Sequence, residues 1–201
     1  MLFGDVPERK QPEREMRDAG CLPPGQSLTL KWPVLHEGTV PRFDSQTWDF
    51  RITGLVEKPL LLTWKEFTAL PMKEVVADMH CVTRWSRFDV RWEGVPFTEV
   101  VKLVNLKPEA KYVMVLAEQS YTSNVRDLMR PTTLFALKHN GEPLPWEHGY
   151  PVRLVMPHLY AWKSLKWVRG LEFMAEDAPG FWEQNGYNMY GDPFKEQRYS
   201  G

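Results

Sequence analysis

A single α+β domain, with short helices set around mixed β-sheet, is the fold class that this sequence predicts. Three observations lead there. A chain of 201 residues, 43% hydrophobic and 25% charged, is long enough to bury one proper core. Seventeen prolines and nine tryptophans favour a rigid, loop-rich fold over a helical bundle. The segments with clear periodicity are short, and they switch between the two-residue repeat of strands and the caps of brief helices.

Residues 1–33 read as an extended N-terminal arm. The first 20 residues carry nine charges and few apolar groups, and residues 21–45 hold four prolines with little periodicity. Trp48–Gly54 alternates like a strand. Thr63-Trp64-Lys65-Glu66 is a capping box opening a short helix that stops near Pro71. Val75, Ala77, Met79 and Cys81 then alternate with more polar residues, which sets Cys81 at or just past the end of a strand. A second short helix follows Pro96, with Val100, Val101 and Val104 on its apolar face. Tyr112–Ala117 is an apolar strand, and Thr133–Lys138 and Glu142–Leu144 flank His139-Asn140-Gly141 as a hairpin. Val152–Met156 and Lys166–Met174 are the last strands. The body of the domain is thus residues 34–175. Residues 176–201 form an irregular tail whose Trp, three Tyr and two Phe call for packing against the domain.

A formal net charge of −1 gives no global field for nucleic acid or acidic membranes, so any anion must be held by local clustering. Two cysteines, Cys21 and Cys81, make a poor disulfide framework and fit a reducing compartment. The first residues show neither an apolar signal core nor a twin-arginine pair, and no apolar run approaches the roughly 18 residues of a membrane span. The expected location is cytoplasmic.

Two segments carry the chemistry. Cys81, in Met79-His80-Cys81-Val82-Thr83-Arg84-Trp85, has three readings: a small buried hydrophobe, a nucleophile of a cysteine hydrolase, or a metal thiolate. His80 is adjacent but faces the other way on a strand, so a base would have to come from elsewhere. A zinc site would need further Cys or His ligands at short spacing, and none occurs, so a metal here would take its other ligands from a cofactor. The second segment runs from His148-Gly149-Tyr150-Pro151-Val152-Arg153 to Lys163-Ser164-Leu165-Lys166-Trp167. From residue 148 to 171 there is no acidic residue, and the cations sit between apolar strands. Such a group suits a phosphate: Arg as a planar fork, Lys as a point charge, Ser as a hydroxyl. The glycine-rich nucleotide loops are missing.

These residues, with Trp92-Glu93-Gly94-Val95-Pro96, resemble the molybdopterin-binding domain of the sulfite oxidase superfamily, closest to its small single-domain bacterial members. The likeness covers residues 34–192. It implies a sulfite-oxidase-type molybdopterin-binding fold of mixed β-sheets with short helices. It implies a molybdenum oxidoreductase moving an oxygen atom to or from a small sulfoxide- or sulfite-like substrate. Cys81 would be the protein ligand to the metal, beside a single nucleotide-free molybdopterin. Thr83, His148, Arg153, Lys163, Ser164 and Lys166 would hold the cofactor, with Asn124 in a turn near it. Tyr187, spaced from Trp182 as in a family segment, would face the substrate. The family's Arg-Asn-His run before Val-Pro is replaced by Val34-Leu35-His36-Glu37-Gly38-Thr39-Val40-Pro41, which leaves His36 to contact the cofactor there. With no haem or flavin motif, electrons would pass through a separate electron-transfer protein. A cysteine hydrolase, or a non-catalytic binding module of the same fold, stands as the alternative.

Overall fold

The computed structural model describes residues 6–117 and 121–200. The chain opens with helix α1 (Val6–Asp18) and strand β1 (Ser27–Leu28), then β2 (Asp49–Gly54), β3 (Leu60–Thr63) and α2 (Trp64–Thr68). A long pair follows, β4 (Lys73–His80) and β5 (Trp85–Pro96), running directly into α3 (Phe97–Val101). Next come β6 (Tyr112–Leu116), β7 (Tyr121–Asn124), α4 (Val125–Leu128), β8 (Leu134–His139) and β9 (Glu142–Pro143). The chain ends with β10 (Arg153–Val155), β11 (Gly170–Met174) and α5 (Phe181–Gln184).

Two mixed sheets result. One runs β1-β5-β8-β10, with β4 against β5 and β9 against β8. The other runs β3-β2-β11-β6-β7. The β1/β5 and β2/β11 pairs are parallel. The larger core cluster gathers Phe50, Phe67, Phe97, Phe135, Leu154 and Leu171. A second cluster, with Met79, Trp85, Trp92, Leu134 and Tyr160, includes Cys81.

Local signals were obeyed where the physics is local. Thr63 Oγ1 accepts from the Glu66 backbone N–H, and the Glu66 carboxylate accepts from the Thr63 N–H at 2.8 Å, closing the capping box. β2 buries Phe50 and Ile52 and leaves Arg51 in solvent, as alternation demands. In β5 the register shifts between Glu93 and Gly94. A Cβ on Gly94 would stand 2.0 Å from the Phe135 carbonyl oxygen, so the close approach of β5 to β8 needs glycine here.

The arm differs from expectation. Within residues 1–33, Val6–Asp18 is helix rather than extended chain. It lacks an apolar face. Charge pairs one turn apart, Arg9–Glu13, Glu13–Arg17 and Arg14–Asp18, support it. The helix is also tied down: Glu13 accepts from the Leu28 N–H at 3.0 Å, and Arg17 donates to the Gln26 carbonyl at 3.1 Å. The predicted strand over Lys166–Met174 begins only at Gly170. Trp167 has φ +55°, which breaks the extended run and leaves Lys166 free to turn inward. β5 went unread although Phe88, Val90 and Trp92 alternate with charged residues; a positive φ at Asp89 kinks it.

Candidate active site

Cys81 sits at the start of the tight connection between β4 and β5. Its N–H donates to the Trp85 carbonyl at 2.8 Å, and Arg84 N–H donates back to the Cys81 carbonyl at 3.0 Å. Arg84 takes the left-handed conformation, φ +70°, that such a short turn requires. Cys81 is 8% exposed, and its sulfur lies 3.1 Å from Thr83 Oγ1. Burial pushes the thiol pKa up; the Thr83 hydrogen bonds and the charges of Arg153 and Lys166 oppose that. Next door, His80 turns its Nδ1 to Ser86 Oγ at 2.8 Å, away from the sulfur.

The cationic segment converges on the same place. Gly149, at φ +114°, turns the chain back so that Arg153 Nη1 donates to the His148 carbonyl at 3.0 Å. Arg153 is 3% exposed, and its Nε has no hydrogen-bond partner among the described residues. Burial lowers its pKa to about 10. Lys166 donates to two carbonyls, Leu35 at 2.7 Å and Glu147 at 2.6 Å. Burial, and then the neighbouring Arg153, bring its pKa down to about 7. Among the described residues, no carboxylate lies within ion-pair distance of Arg153 or Lys166. The His148 ring stacks on Trp32 with centroids 3.6 Å apart.

A cavity of about 250 Å³ joins these groups. Cys81, Thr83, His36, His148, Arg153, Ser164, Lys166 and Tyr187, all singled out in the sequence, line it. One expectation ends differently. Lys163 does not join the lining: its ammonium is buried against the Glu183 carboxylate, with both side chains 1% exposed. Asn124 closes β7 in the other sheet, opposite Tyr112, and its side chain lies outside the described residues. Sequence reasoning missed part of the walls, namely Trp32, Leu35, Met79 and Trp85. Only their bulk and apolarity hinted at a pocket. Trp162 and Trp182 flank Tyr187 at 5.1 Å between ring centroids. Burial raises the Tyr187 pKa, so its hydroxyl keeps its proton and remains a donor.

The site makes the fold sensitive to acid. His148 is held neutral, its pKa lowered from 6.5 to about 3 by burial and then by Arg153; burial lowers His80 to about 4. The unfolded chain therefore takes up these protons first as pH falls. The stability is fully present above about pH 6.5 and is lost toward pH 4, at about 1.4 kcal/mol per pH unit for each such histidine. Urea midpoints of the cofactor-free protein at pH 7 and pH 5 check this, and equal midpoints would contradict it.

Comparison with known proteins gives a consistent answer. The model of the oxidoreductase molybdopterin binding domain matches residues 37–182. The uncharacterized oxidoreductase YuiH of Bacillus subtilis is 46% identical over 190 residues, 93% of this chain and 96% of its own. A putative protein-methionine-sulfoxide reductase subunit of Azospira oryzae is 35% identical over 84% of this chain and 66% of its own length. The protein-methionine-sulfoxide reductase catalytic subunit of Campylobacter jejuni is 30% identical over 74% of this chain, which spans only 56% of that protein. Among solved structures, the sulfane dehydrogenase SoxCD of Paracoccus pantotrophus superposes with a TM-score of 0.62 at 25% identity, covering 68% of this chain and 40% of that one. The chain belongs to the molybdopterin-binding oxidoreductases of the sulfite oxidase family and is an enzyme of that class.

Proposed function

We propose that the protein holds one nucleotide-free molybdenum–molybdopterin in the cavity beside Cys81 and transfers an oxygen atom to or from a small sulfoxide- or sulfite-like substrate. The carrying observation is the pairing, in one cavity, of a buried thiol with two cations that no carboxylate among the described residues pairs with. The donor set suits such a group. Arg153 Nε and the indole N–H groups of Trp85 and Trp162 are buried without acceptors among the described residues, and a phosphate-bearing heterocycle brings acceptors. A soft thiolate is a fitting ligand for the metal, and metal binding holds the sulfur deprotonated against the burial that raises its pKa.

When bound, the cofactor supplies a metal that changes by two electrons, together with the redox chemistry itself. The chain's own residues bind and orient. Arg153 and Lys166 neutralise the phosphate, and Ser164, which accepts from the Met156 N–H at 3.0 Å, fixes the wall between them. Cys81 and Thr83 would hold the metal end, and His36, in the segment ahead of β2, would contact the cofactor. Trp162 and Trp182 pack on Tyr187 and would keep water from the open face, and the Tyr187 hydroxyl would be the donor available to a substrate oxygen. Apolar walls (Met79, Trp162 and Trp182) favour a neutral sulfoxide over an oxyanion. That agrees with the activity for which the methionine-sulfoxide reductase relatives are named. Electrons enter or leave through a separate carrier protein. The two free thiols, Cys21 exposed and Cys81 buried, fit a reducing cytoplasm. Among the described residues, no helix is long and apolar enough to cross a membrane.

The cysteine hydrolase has less support. Among the described residues, no histidine hydrogen-bonds to the Cys81 sulfur, whose partner is Thr83.

Elemental analysis and pterin fluorescence on protein made in a cofactor-competent host test the proposal. About one molybdenum and one pterin per chain are expected, with the metal lost in Cys81→Ser. A folded protein with neither would overturn it.

A further inference from the structure

Two buried polar side chains outside the matched domain converge on the backbone of the Cys81 turn. Gln26, 2% exposed, donates from Nε2 to the Cys81 carbonyl at 2.9 Å. Arg198, 5% exposed, donates from Nη1 to the Val82 carbonyl at 2.8 Å. They come from opposite ends of the chain, 55 residues before and 116 residues after the carbonyls they bind. Neither lies within residues 37–182, and neither lines the cavity.

We infer that Gln26 and Arg198 are positioning residues which fix the aim of the Cys81 sulfur. The inference rests on Cys81 being the metal ligand. A cysteine sulfur is carried by one rotatable bond beyond Cα, so its reach is set by the peptide planes on either side. Here both following carbonyls are pinned by side-chain donors, one of them a charged guanidinium, which makes the stronger kind of hydrogen bond. The pins are themselves held. Arg198 Nη2 donates to the Pro24 carbonyl at 3.2 Å, and its guanidinium lies 4.9 Å over the Tyr160 ring. The Ser27 N–H donates to the Arg84 carbonyl at 3.0 Å, so β1 seals the far side of the turn.

The spacing is tight enough to be specific. Gly25 has φ +65°, and a Cβ there would stand 2.7 Å from Arg84 Nη1 and 3.5 Å from Arg198 Nη2. The two termini therefore act as a support behind the ligand turn, as partners behind a ligating side chain commonly do in metal sites.

The test is made on cofactor-free protein in a Cys21→Ser background, where Cys81 is the one thiol left for iodoacetamide. Arg198→Ala and Gln26→Leu are each expected to raise the Cys81 alkylation rate about tenfold, as the turn opens more often. Arg198→Lys, which keeps a charged donor, restores most of the protection. Asp192→Ala loosens the same tail by removing the acceptor of the Phe194 N–H, and leaves the rate unchanged. An unchanged rate in a folded Arg198→Ala overturns the inference, as does equal acceleration by Asp192→Ala. If Arg198→Ala does not fold, Gln26→Leu decides alone by the same criterion. In metal-loaded protein, an altered paramagnetic molybdenum signal in Gln26→Leu supports the inference and an unaltered one overturns it. Failure of metal binding in the parent protein sinks the functional reading instead, and the alkylation result stands apart from it.

Discussion

Replacing Glu183 with alanine is expected to lower the unfolding free energy by about 3–5 kcal/mol, the range for breaking a buried ion pair from one side. The Lys163 ammonium and the Glu183 carboxylate are each 1% exposed, so water cannot take the place of the missing partner. Burial already pulls the Lys163 pKa down, and Glu183 is the main influence holding it up. Without that carboxylate the lysine either carries a buried charge that has lost its main counter-ion or gives up its proton. Both routes cost stability. The pair does not have to be ionic to be stable: Lys163→Met with Glu183→Met should recover most of the loss, because two apolar chains of similar volume need no desolvated charge. Urea unfolding of the single and double variants checks both statements. A loss under about 1 kcal/mol in Glu183→Ala would mean that the pair is worth no more than one at the surface. The consequence for the site is indirect. Glu183 sits in α5 beside Trp182, so loosening it frees the wall that holds Tyr187.

The second large effect belongs to Arg153. In Arg153→Met, cofactor retention after gel filtration is expected to fall about 100-fold or more, the scale of a lost buried, charge-assisted contact. The cofactor-free protein should suffer much less. No carboxylate is left behind among the described residues, and the substitution removes a guanidinium whose burial already lowers its pKa to about 10. Lys166 should also titrate higher in the variant, since Arg153 is the second cause of its depression to about 7. Pterin fluorescence per chain and thermal melts of both forms provide the readout. Equal retention by wild type and variant would remove Arg153 from the binding machinery.

Much of the site was legible because its signals are short-range. Alternation from Val75 onward sets Cys81 at a strand end, and β4 does stop at His80. The absence of acids between residues 148 and 171 singled out Arg153 and Lys166, and both line the cavity. The same observation misled for Lys163. Its partner lies 20 residues further on, in a tail with no periodic pattern, and only the folded chain brings them together. Gln26 and Arg198 were unreadable for the same reason at greater separation. The α1 helix was missed because its stability comes from charge pairs and from ties to β1 rather than from an apolar stripe. The left-handed turn at Trp167 carried no glycine to announce it.

The cavity lining runs from Trp32 to Tyr187, so nearly the whole chain must be in place before the site exists. No early-emerging fragment on the ribosome can capture the cofactor, because His148, Arg153 and Lys166 are made long after Cys81. Loading therefore follows synthesis, and its binding energy adds to the stability of the entire domain rather than of one lobe. A chain left empty lacks that contribution, so the empty form is expected to be the one more open to proteolysis.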